Sequence, residues 1–363
     1  MLKSPRFWLA TGVSLLFLGL FFSRIDMGET WGKLSEANYL LLIPAILVYF
    51  GAVYFRSLRW QYLLSPMRVM PIGRLFPVVV VGYMANNLLP IRLGEVVRAY
   101  YLGERERVSK TAALATIIVE RVFDGLTLLF FAAVVSLFLP LVGLLQGLGE
   151  KAGIPWVLLA LAMSMPFVLA IAFMVAASFS PPWLERLVER VTAVLPSRVR
   201  PRVKGLVQMF VDGLDVLKSP RRLLVVFLLS LPVWLAEALM YYIIGFSFGL
   251  NETFSPAEMA GVILLVTATS NLAGIIPSSG GGIGTFDLAA AATLTLLGVE
   301  GAVAGAYTIV LHVALLLPVT LLGLVFLWVG NLSLARLTRE SRGGSAPLSH
   351  ASAGPAVEAE DSQ

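Results

Sequence analysis

Long apolar stretches, separated by short polar segments, run along most of this chain. Six of them are long, and they lie at about 7–22, 39–55, 112–139, 154–177, 223–249 and 303–329. An α-helix needs about 20 apolar residues to cross a hydrocarbon layer about 30 Å thick, and these stretches are close to or above that length. The pattern therefore predicts an all-α polytopic membrane protein with about six full transmembrane helices.

Two further apolar segments each have flanks that favour the same side of the membrane. The segment 75–90 lies between basic segments, and the segment 257–298 must both start and end outside if the last helix ends inside. A segment that enters and leaves on one side is a re-entrant helical hairpin. The sequence thus predicts two such hairpins and eight apolar segments in all.

The predicted elements repeat in the two parts of the chain. Residues 7–139 and 154–329 each read as helix, helix, hairpin and helix, with opposite orientations in the membrane. This order predicts an inverted repeat, the architecture of many secondary transporters. The alternative is eight ordinary helices joined by short loops.

The distribution of basic residues sets the predicted orientation, because positively charged short loops stay cytoplasmic. The N-terminus is basic, the loop at 23–38 is net negative, and basic residues follow the last helix. A cytoplasmic loop is also predicted after residue 55, and its basic residues are Arg56, Arg59, Arg68 and Arg74. We expect a multi-pass protein of the inner (plasma) membrane with both termini in the cytoplasm.

The segments outside the apolar helices complete the predicted domain organisation. Residues 178–222 carry apolar side chains from Val203 to Leu217 at the spacing of one helical face, which predicts an amphipathic cytoplasmic linker between the halves. Residues 341–363 are small and polar without periodicity, which predicts a disordered tail after a membrane domain at 1–340.

Composition narrows the possible functions. The chain is 58% hydrophobic and 13% charged, whereas soluble proteins are about half apolar and about a quarter charged. It has no cysteine and two histidines, so thiolate chemistry is excluded and we expect neither a metal site nor a cofactor. The net charge of +5 resides mainly in loops, so we predict no nucleic-acid partner.

Ionisable residues lie inside several predicted helices. Glu120, Arg121 and Asp124 lie near the middle of one, where a charge costs about 2.5–3.5 kcal/mol on insertion scales. Glu120 and Asp124 share a helical face, and Arg121 can reach Asp124 at i, i+3. These residues form either a structural ion pair or a substrate contact. Glu237 and His312 are isolated, so each is either satisfied by a neighbour or part of a proton relay.

The turn of the first hairpin has the features of a phosphate site. Pro90 and Gly94 bracket the start of a short helix that continues through Glu95. Its first N–H groups lack intrahelical partners and form the positive end of the helix dipole. Arg92 and Arg98 add two guanidinium groups, which either bind a phosphate or extend to lipid headgroups in the interface.

The turn of the second hairpin is rich in glycine. The run from Gly280 to Gly284 precedes a helix that begins near Thr285. Successive glycines allow backbone N–H groups to converge on an anion. The same residues also allow a tight chain reversal, so both interpretations remain open.

Three motifs resemble one known family. They are Asn87-Leu-Leu-Pro90-Ile-Arg92-Leu-Gly94-Glu95-Val-Val-Arg98, Glu120-Arg121-Val-Phe-Asp124 and Ile276-Pro277-Ser-Ser-Gly-Gly-Gly-Ile-Gly284. They resemble the signatures of the lysylphosphatidylglycerol synthase transmembrane family, also called flippase-like, over about residues 7–330. The family often has Ser-Pro-Gly-Gly, and Ser279 stands at the place of that proline.

The resemblance implies a lipid-translocation fold. In bifunctional members this membrane part is thought to move an aminoacylated phospholipid between leaflets, and a separate soluble domain makes that lipid. About thirty residues follow the last predicted helix, so we expect no aminoacyl-transfer domain in this chain.

The functional prediction is a membrane lipid translocase that moves an anionic or modified phospholipid, or a lipid-linked intermediate, between leaflets. We predict no catalytic residues; a separate lipid synthase or glycosyltransferase is a candidate partner, and the oligomeric state is left open. The predicted substrate-binding residues are Asn87, Arg92, Glu95, Arg98, Glu120, Arg121, Asp124, Pro277, Gly281, Gly282 and Gly284.

Two other classes remain as alternatives. One is a membrane-embedded lipid-modifying enzyme that uses Glu95, Glu120 or Asp124 as a general base. The chain lacks an Asp-rich metal motif, a His-Asp acyltransferase pair and a nucleophile elbow. The other is a non-transporting scaffold of a cell-envelope glycosyltransferase system.

Single introduced cysteines test the predicted topology, because the chain has no cysteine of its own. With a membrane-impermeant thiol reagent, cysteines at Arg68, Val108 and Gly205 should be labelled only from the cytoplasm. Cysteines at Gly28, Gly149 and Asn251 should be labelled only from outside. Labelling of the Val108 position from outside would contradict the first hairpin and, with it, the inverted repeat.

Overall fold

The computed structural model is helical, with no strand in any of the residues it describes. The described residues are 5–89, 93–136, 153, 155–179, 186, 189–190, 200–276 and 280–329. The predicted all-α class is confirmed for these residues. The predicted tail at 341–363 lies outside them.

The longer helices follow the apolar stretches. The α-helices are α1 (Pro5–Phe22), α2 (Met27–Glu36), α3 (Leu42–Leu64), α4 (Ile72–Leu88), α5 (Gly94–Glu106), α6 (Lys110–Val135), α7 (Trp156–Ser178), α8 (Arg200–Gly213), α9 (Pro220–Ser247), α10 (Leu250–Thr253), α11 (Pro256–Ala273), α12 (Thr285–Leu296) and α13 (Gly301–Val329). Short 3-10 turns lie at Tyr39–Leu41, Asp215–Lys218 and Gly280–Gly282.

The expected loop at 23–38 is wrong, since most of it is helix α2. Asp26 caps this helix by accepting hydrogen bonds from the N–H groups of Gly28 at 2.8 Å and Glu29 at 3.1 Å. Such a cap supplies partners for N–H groups that a helix start otherwise leaves unpaired. The chain turns by 84° between α1 and α2.

The expected helix end at residue 55 is also wrong, because α3 continues to Leu64. Arg56 and Arg59, which we had placed in a cytoplasmic loop, are buried side chains in the last half of this helix. Both are paired with carboxylates from other helices, which offsets part of the cost of holding a charge away from water. Of the four basic residues counted there, Arg68 and Arg74 lie beyond the end of the helix.

The amphipathic linker forms a helix that ends earlier than its apolar face. Helix α8 stops at Gly213, and a 3-10 turn carries the rest of the pattern. Val211, Leu214 and Leu217 are buried, and α8 packs against α6. Part of the apolar face therefore contacts the helix bundle.

The helices expose apolar side chains and bury polar ones. On α9, Leu235 is 49% exposed, while Glu237 two residues later is 3% exposed. On the same helix Leu224, Leu228 and Leu239 are exposed as well. Lipid tails are the environment in which exposed leucines and buried charges are both favourable.

Length and composition mark four of the described helical segments as able to cross a membrane, or five if the bent pair α1 and α2 forms one span. The four are Tyr39–Leu64, Pro220–Ser247, Pro256–Ala273 and Gly301–Val329. Helix α6 is absent from this group, and it carries three charged residues near its middle. The count of eight apolar segments and the inverted repeat stay predictions.

The two hairpins lie on either side of a central helix pair. Helices α3 and α9 pack together along much of their length. Helix α4 packs on α5, and α11 packs on α12, so each predicted hairpin is a pair of neighbouring helices. Helix α13 contacts α4, and helix α6 contacts α11, which places each hairpin against a helix of the other half.

Glycine allows the two helices of the first hairpin to approach closely. A Cβ atom added at Gly94 would lie 2.1 Å from the carbonyl oxygen of Gly82 and 2.5 Å from Asn86 Oδ1. The N–H of Gly94 donates to the same Asn86 oxygen at 2.7 Å. The start of α5 is therefore held directly against the backbone of α4.

Gly94→Ala should lower the thermal unfolding midpoint of the purified protein, because the added methyl group collides with backbone that cannot move aside. Gly51→Ala is the matched control, since nothing lies within 4 Å of a Cβ atom at that helical position. Alanine is favoured over glycine inside a helix by roughly 0.5–1 kcal/mol, so the control should be neutral or stabilising. Equal midpoints for both variants would contradict the close packing of α4 and α5.

Candidate functional site

A cavity of about 490 Å³, with a mainly apolar wall that carries several ionisable groups, lies between the helices of the bundle. Residues from α3, α4, α5 and α6 line one part, and residues from α9, α11, α12 and α13 line the other. Its charged or titratable lining residues other than tyrosine are Arg56, Glu95, Arg121, Asp124, Glu237 and His312. Such a concave site with few convergent polar groups is the usual form of a small-molecule or headgroup site.

Arg59 joins three helices beneath the cavity. Its side chain is fully buried, and it donates to Asp124 at 2.7 Å and to Ser230 at 2.8 Å. A further nitrogen lies 3.6 Å from Glu120. The shared face of Glu120 and Asp124, which their i, i+4 spacing predicted, is thus turned toward one cation on α3.

Arg98 lies in a buried ion pair and not in the cavity wall. Its guanidinium contacts Glu120 at 2.7 Å and lies 3.6 Å from the centre of the Trp60 ring. The Trp60 nitrogen in turn donates to Thr116 at 3.0 Å. Cation–π contact and pairing both compensate the buried charge, so this arrangement fits the structural role that an ion pair can have.

Arg121, on helix α6, lines the cavity. Its predicted i, i+3 pair with Asp124 is present at 3.2 Å, and its side chain is 31% exposed. It also lies 3.4 Å from the Tyr83 hydroxyl, and its Nε has no hydrogen-bond partner among the described residues. The partial exposure of this side chain at the cavity wall makes Arg121 accessible to a ligand.

Arg56 and Glu237 form a second ion pair, which connects α3 with α9. Arg56 also donates to the Tyr83 hydroxyl at 2.9 Å, and its guanidinium lies 4.8 Å from the centre of the Trp234 ring. The Tyr241 hydroxyl donates to Glu237 at 3.2 Å. Glu237 is thus satisfied by residues other than His312, with which we had considered a proton relay.

His312 has its own carboxylate partner. Its Nδ1 lies 2.6 Å from Asp287 Oδ1, and the other oxygen of Asp287 accepts the Gly284 N–H at 2.8 Å. The Phe286 ring lies 4.7 Å from the imidazole ring. His312 lines the cavity, and its Nε2 is buried without a hydrogen-bond partner among the described residues.

Asn87, near the end of α4, lies against the Gly280–Gly282 turn and against α13. The Asn87 amide donates to Thr320 at 2.9 Å, and a Cβ atom added at Gly280 would lie 3.1 Å from the Asn87 carbonyl oxygen. A Cβ atom added at Gly281, where φ is +73°, would lie 2.5 Å from Leu316. Glycine is thus required here both by conformation and by space.

The structure separates the three glycines that we had predicted to bind an anion. Gly281 lines the cavity, and Gly282 is buried outside the lining. The N–H of Gly284 is used by Asp287, and a Cβ atom there would lie 2.7 Å from the carbonyl oxygen of Ser14 on α1. Of this run, Gly281 is the residue placed at the cavity.

The remaining predicted site residues fall into two groups. Glu95 and Asn87 line the cavity, and Glu95 accepts a hydrogen bond from Asn86 at 3.2 Å. Arg92 and Pro277 lie outside the described residues. Their substrate-binding roles, like those of the other predicted residues, stay predictions.

Sequence reasoning missed several residues of the site. Arg56 and Arg59 had been assigned to a loop, and Tyr83, Trp234 and Asp287 had not been singled out. One signal was available. Arg59 and Trp60 lie three and four residues after Arg56, so both are on the helical face of Arg56. The partners of the two arginines, 65 and 181 residues away, had no such local signal.

Comparison with known proteins places most of the chain in one sequence family. Residues 7–323 match the family model described as the lysylphosphatidylglycerol synthase TM region. No solved structure matches the chain.

Several archaeal proteins are similar to this chain. A UPF0104 membrane protein of Methanothermobacter thermautotrophicus is 28% identical over 300 residues, which cover 79% of this chain and 84% of that protein. A second UPF0104 membrane protein of the same organism is 27% identical over 308 residues, covering 80% and 83%. A protein named Glycosyltransferase AglD, from Haloferax volcanii, is 26% identical over 354 residues, covering 91% of this chain and 55% of that protein. Together with the apolar helices, these matches show a multi-pass membrane protein.

The central ion pairs predict unequal effects of two arginine substitutions. Arg59→Met should lower the free energy of unfolding by up to about 3–5 kcal/mol, because Glu120 and Asp124 lose their shared cation and keep only Arg98 and Arg121 as partners. Arg121→Met should cost less, since Asp124 keeps Arg59 as its partner. Both values can be measured by denaturant titration of the purified protein in detergent. A larger loss for Arg121→Met than for Arg59→Met would contradict the central place of Arg59.

Proposed function

Because the chain belongs to the family of the lysylphosphatidylglycerol synthase TM region, we propose that it is a lipid translocase. It moves a lipid with a phosphate-containing headgroup between leaflets, and the headgroup binds in the interior cavity. The observation that carries this proposal is the cavity itself, whose wall receives ionisable groups from both halves of the chain and which lies within an apolar outer surface.

Arg121 is the proposed headgroup contact. Its guanidinium faces the cavity, keeps an unpaired Nε–H and has a single close carboxylate partner, Asp124. A guanidinium group can donate two parallel hydrogen bonds to a phosphate, which gives both affinity and orientation. Arg56 lies in the same wall but is held by Glu237 and Tyr83.

Glu95 gives the cavity wall a negative group as well. It lines the cavity and accepts a hydrogen bond from Asn86. A headgroup could contact both Arg121 and Glu95 if it carries a phosphate together with either a cation or a hydrogen-bond donor. The proposed substrate class therefore includes modified phospholipids and lipid-linked intermediates.

The packing of the helices supports an inverted repeat as the basis of transport. In the first half α3 packs on α4, α4 on α5 and α5 on α6. In the second half α9 packs on α11, α11 on α12 and α12 on α13, in the same order. Contacts between halves follow the same symmetry, since α4 packs on α13 and α11 packs on α6. Rocking of one such half against the other is the usual means of alternating access.

The same site supports transport more than catalysis. Glu120 and Asp124, two of the three candidate general bases, are each paired with arginines. A general base must contact the proton that it takes from its substrate, and these carboxylates already contact arginines. We therefore propose no catalytic step at these residues.

A second candidate function rests on the relative named Glycosyltransferase AglD. The match covers 91% of this chain but 55% of that protein. A region similar to this chain thus occurs together with further sequence in a protein named as a glycosyltransferase. This supports an association with a glycosyltransferase, in which the membrane region positions a lipid-linked sugar without moving it.

Reconstitution into liposomes with fluorescent lipids of several headgroups tests the translocase proposal. The wild-type protein should make a phosphate-containing lipid accessible to a membrane-impermeant quencher faster than protein-free liposomes do. Arg121→Gln should abolish most of this movement, because it removes the proposed headgroup contact. Arg105→Gln is the matched control, since it removes the same charge from an exposed position near the end of α5.

Two outcomes would contradict the proposal. One is that no headgroup moves faster than in protein-free liposomes, which would leave association with a glycosyltransferase as the remaining candidate. The other is unchanged movement in Arg121→Gln at matched reconstitution, which would remove Arg121 from the headgroup site.

A further inference from the structure

His312 lines the cavity, and one nitrogen of its buried ring has no hydrogen-bond partner among the described residues. Its side chain is 8% exposed, and its Nδ1 is held by Asp287. Nε2 lies on the other edge of the ring and has no hydrogen-bond partner among the described residues. A buried polar atom of this kind usually has a partner, so its place in the cavity wall points to a ligand.

The partner of Nδ1 determines what Nε2 can do. Asp287 accepts a hydrogen bond from the Gly284 N–H, and its other oxygen lies 2.6 Å from His312 Nδ1. With the proton of the neutral ring on Nδ1, toward this carboxylate, Nε2 carries a lone pair. A proton added to that lone pair makes Nε2 a hydrogen-bond donor.

The net charge around the cavity favours a proton on His312 when an anion binds. The arginines of the ion-pair network and cavity wall are Arg56, Arg59, Arg98 and Arg121. The carboxylates are Glu95, Glu120, Asp124, Glu237 and Asp287. Four cations against five anions leave one negative charge, and a bound phosphate adds at least one more. One proton on His312 offsets part of this charge in a medium of low dielectric constant.

We propose that His312 Nε2 is a proton-binding site and that a phosphate group and a proton bind to the cavity together. This inference rests on the proposed function and adds its energy source, since coupled binding allows a proton gradient to drive movement of the lipid. A proton adds to the Nε2 lone pair, and the new N–H donates to a phosphate oxygen. Asp287 is the positioning residue that fixes the ring and stabilises the imidazolium.

Among the ionisable groups around His312, we assign proton exchange to His312 itself. Asp287 on α12 contacts it directly. The other groups in this interior are Glu237 and Tyr241 on α9, Tyr49 and Arg56 on α3, and Tyr83 on α4. Glu237 is held by Arg56. Helix α2 packs on α13, and Lys33 pairs with Glu300 just before that helix begins, about three turns from His312. Imidazole side chains exchange protons in the range of about pH 5 to 8, which the other groups ordinarily do not.

Titration calorimetry on the whole purified protein tests the proposal. Short-chain phosphatidylglycerol and inorganic phosphate serve as separate probes, so that a lipid headgroup can be distinguished from free phosphate. Each titration is run in two buffers of different ionisation enthalpy, which gives the number of protons taken up on binding. The wild-type protein should take up protons, and its affinity for the bound probe should rise by up to about tenfold per pH unit as the pH falls from 8 toward 6.

His312→Gln should bind the probe with less proton uptake and with little dependence on pH. Titration of the probe itself is common to both proteins and cancels in their difference. His350→Gln is the matched control, because it removes the other histidine of the chain and should behave as the wild type. Asp287→Asn can still accept the Gly284 N–H, yet it should reduce proton uptake on binding, because the imidazolium loses its counter-charge.

The outcomes separate this inference from the proposed function. Binding of a probe without proton uptake, or the same uptake in His312→Gln as in the wild type, would overturn the proton site and leave the translocase proposal standing. Failure of both probes to bind the wild-type protein would count against both. Uptake that depends on His312 with phosphatidylglycerol but not with inorganic phosphate would assign the site to a lipid headgroup.

Discussion

The buried guanidinium of Arg59 is the interaction on which the interior of this protein depends. It lies between Glu120 and Asp124 and also contacts Ser230, so one cation connects α3, α6 and α9. Two carboxylates on one helical face would repel each other in a medium of low dielectric constant without such a partner. The positions of three helices are therefore set by the geometry of one side chain, and the cavity forms where those helices enclose the remaining polar groups.

The apolar exterior and the charged interior have a common cause. Exposed leucines on α9 and buried Glu237 occur on opposite faces of the same helix. A hydrocarbon environment makes exposed charges costly, so each ionisable residue must turn inward and find a partner. Pairs such as Arg56 with Glu237 and Asp287 with His312 satisfy this requirement. The residues left with unused donor or acceptor capacity are then concentrated at the cavity.

The spacing of residues along the chain predicted those helices and contacts whose members lie close together in sequence. The apolar stretches gave most of the long helices, and i, i+3 spacing gave the contact between Arg121 and Asp124. The assignment of Arg56 and Arg59 to a loop failed because a run of basic residues without acids is typical of cytoplasmic loops. Their carboxylate partners are distant in sequence, on α6 and α9, and such pairing depends on tertiary packing that no local pattern contains.

The distribution of these contacts between the two halves bears on how the proposed translocase would move. Arg59, Arg98 and Arg121 pair with Glu120 and Asp124 within the first half. These three cations and two anions have a net charge of +1, and the half that carries them can move as one unit. Arg56 with Glu237, and Trp234 with Asp124, connect the halves and must change if one half rocks against the other. Separation of Arg56 from Glu237 is costly unless each finds another partner. In the proposed translocase, a phosphate in the cavity would be a suitable partner for Arg56, so the ligand itself would lower the cost of the movement that carries it.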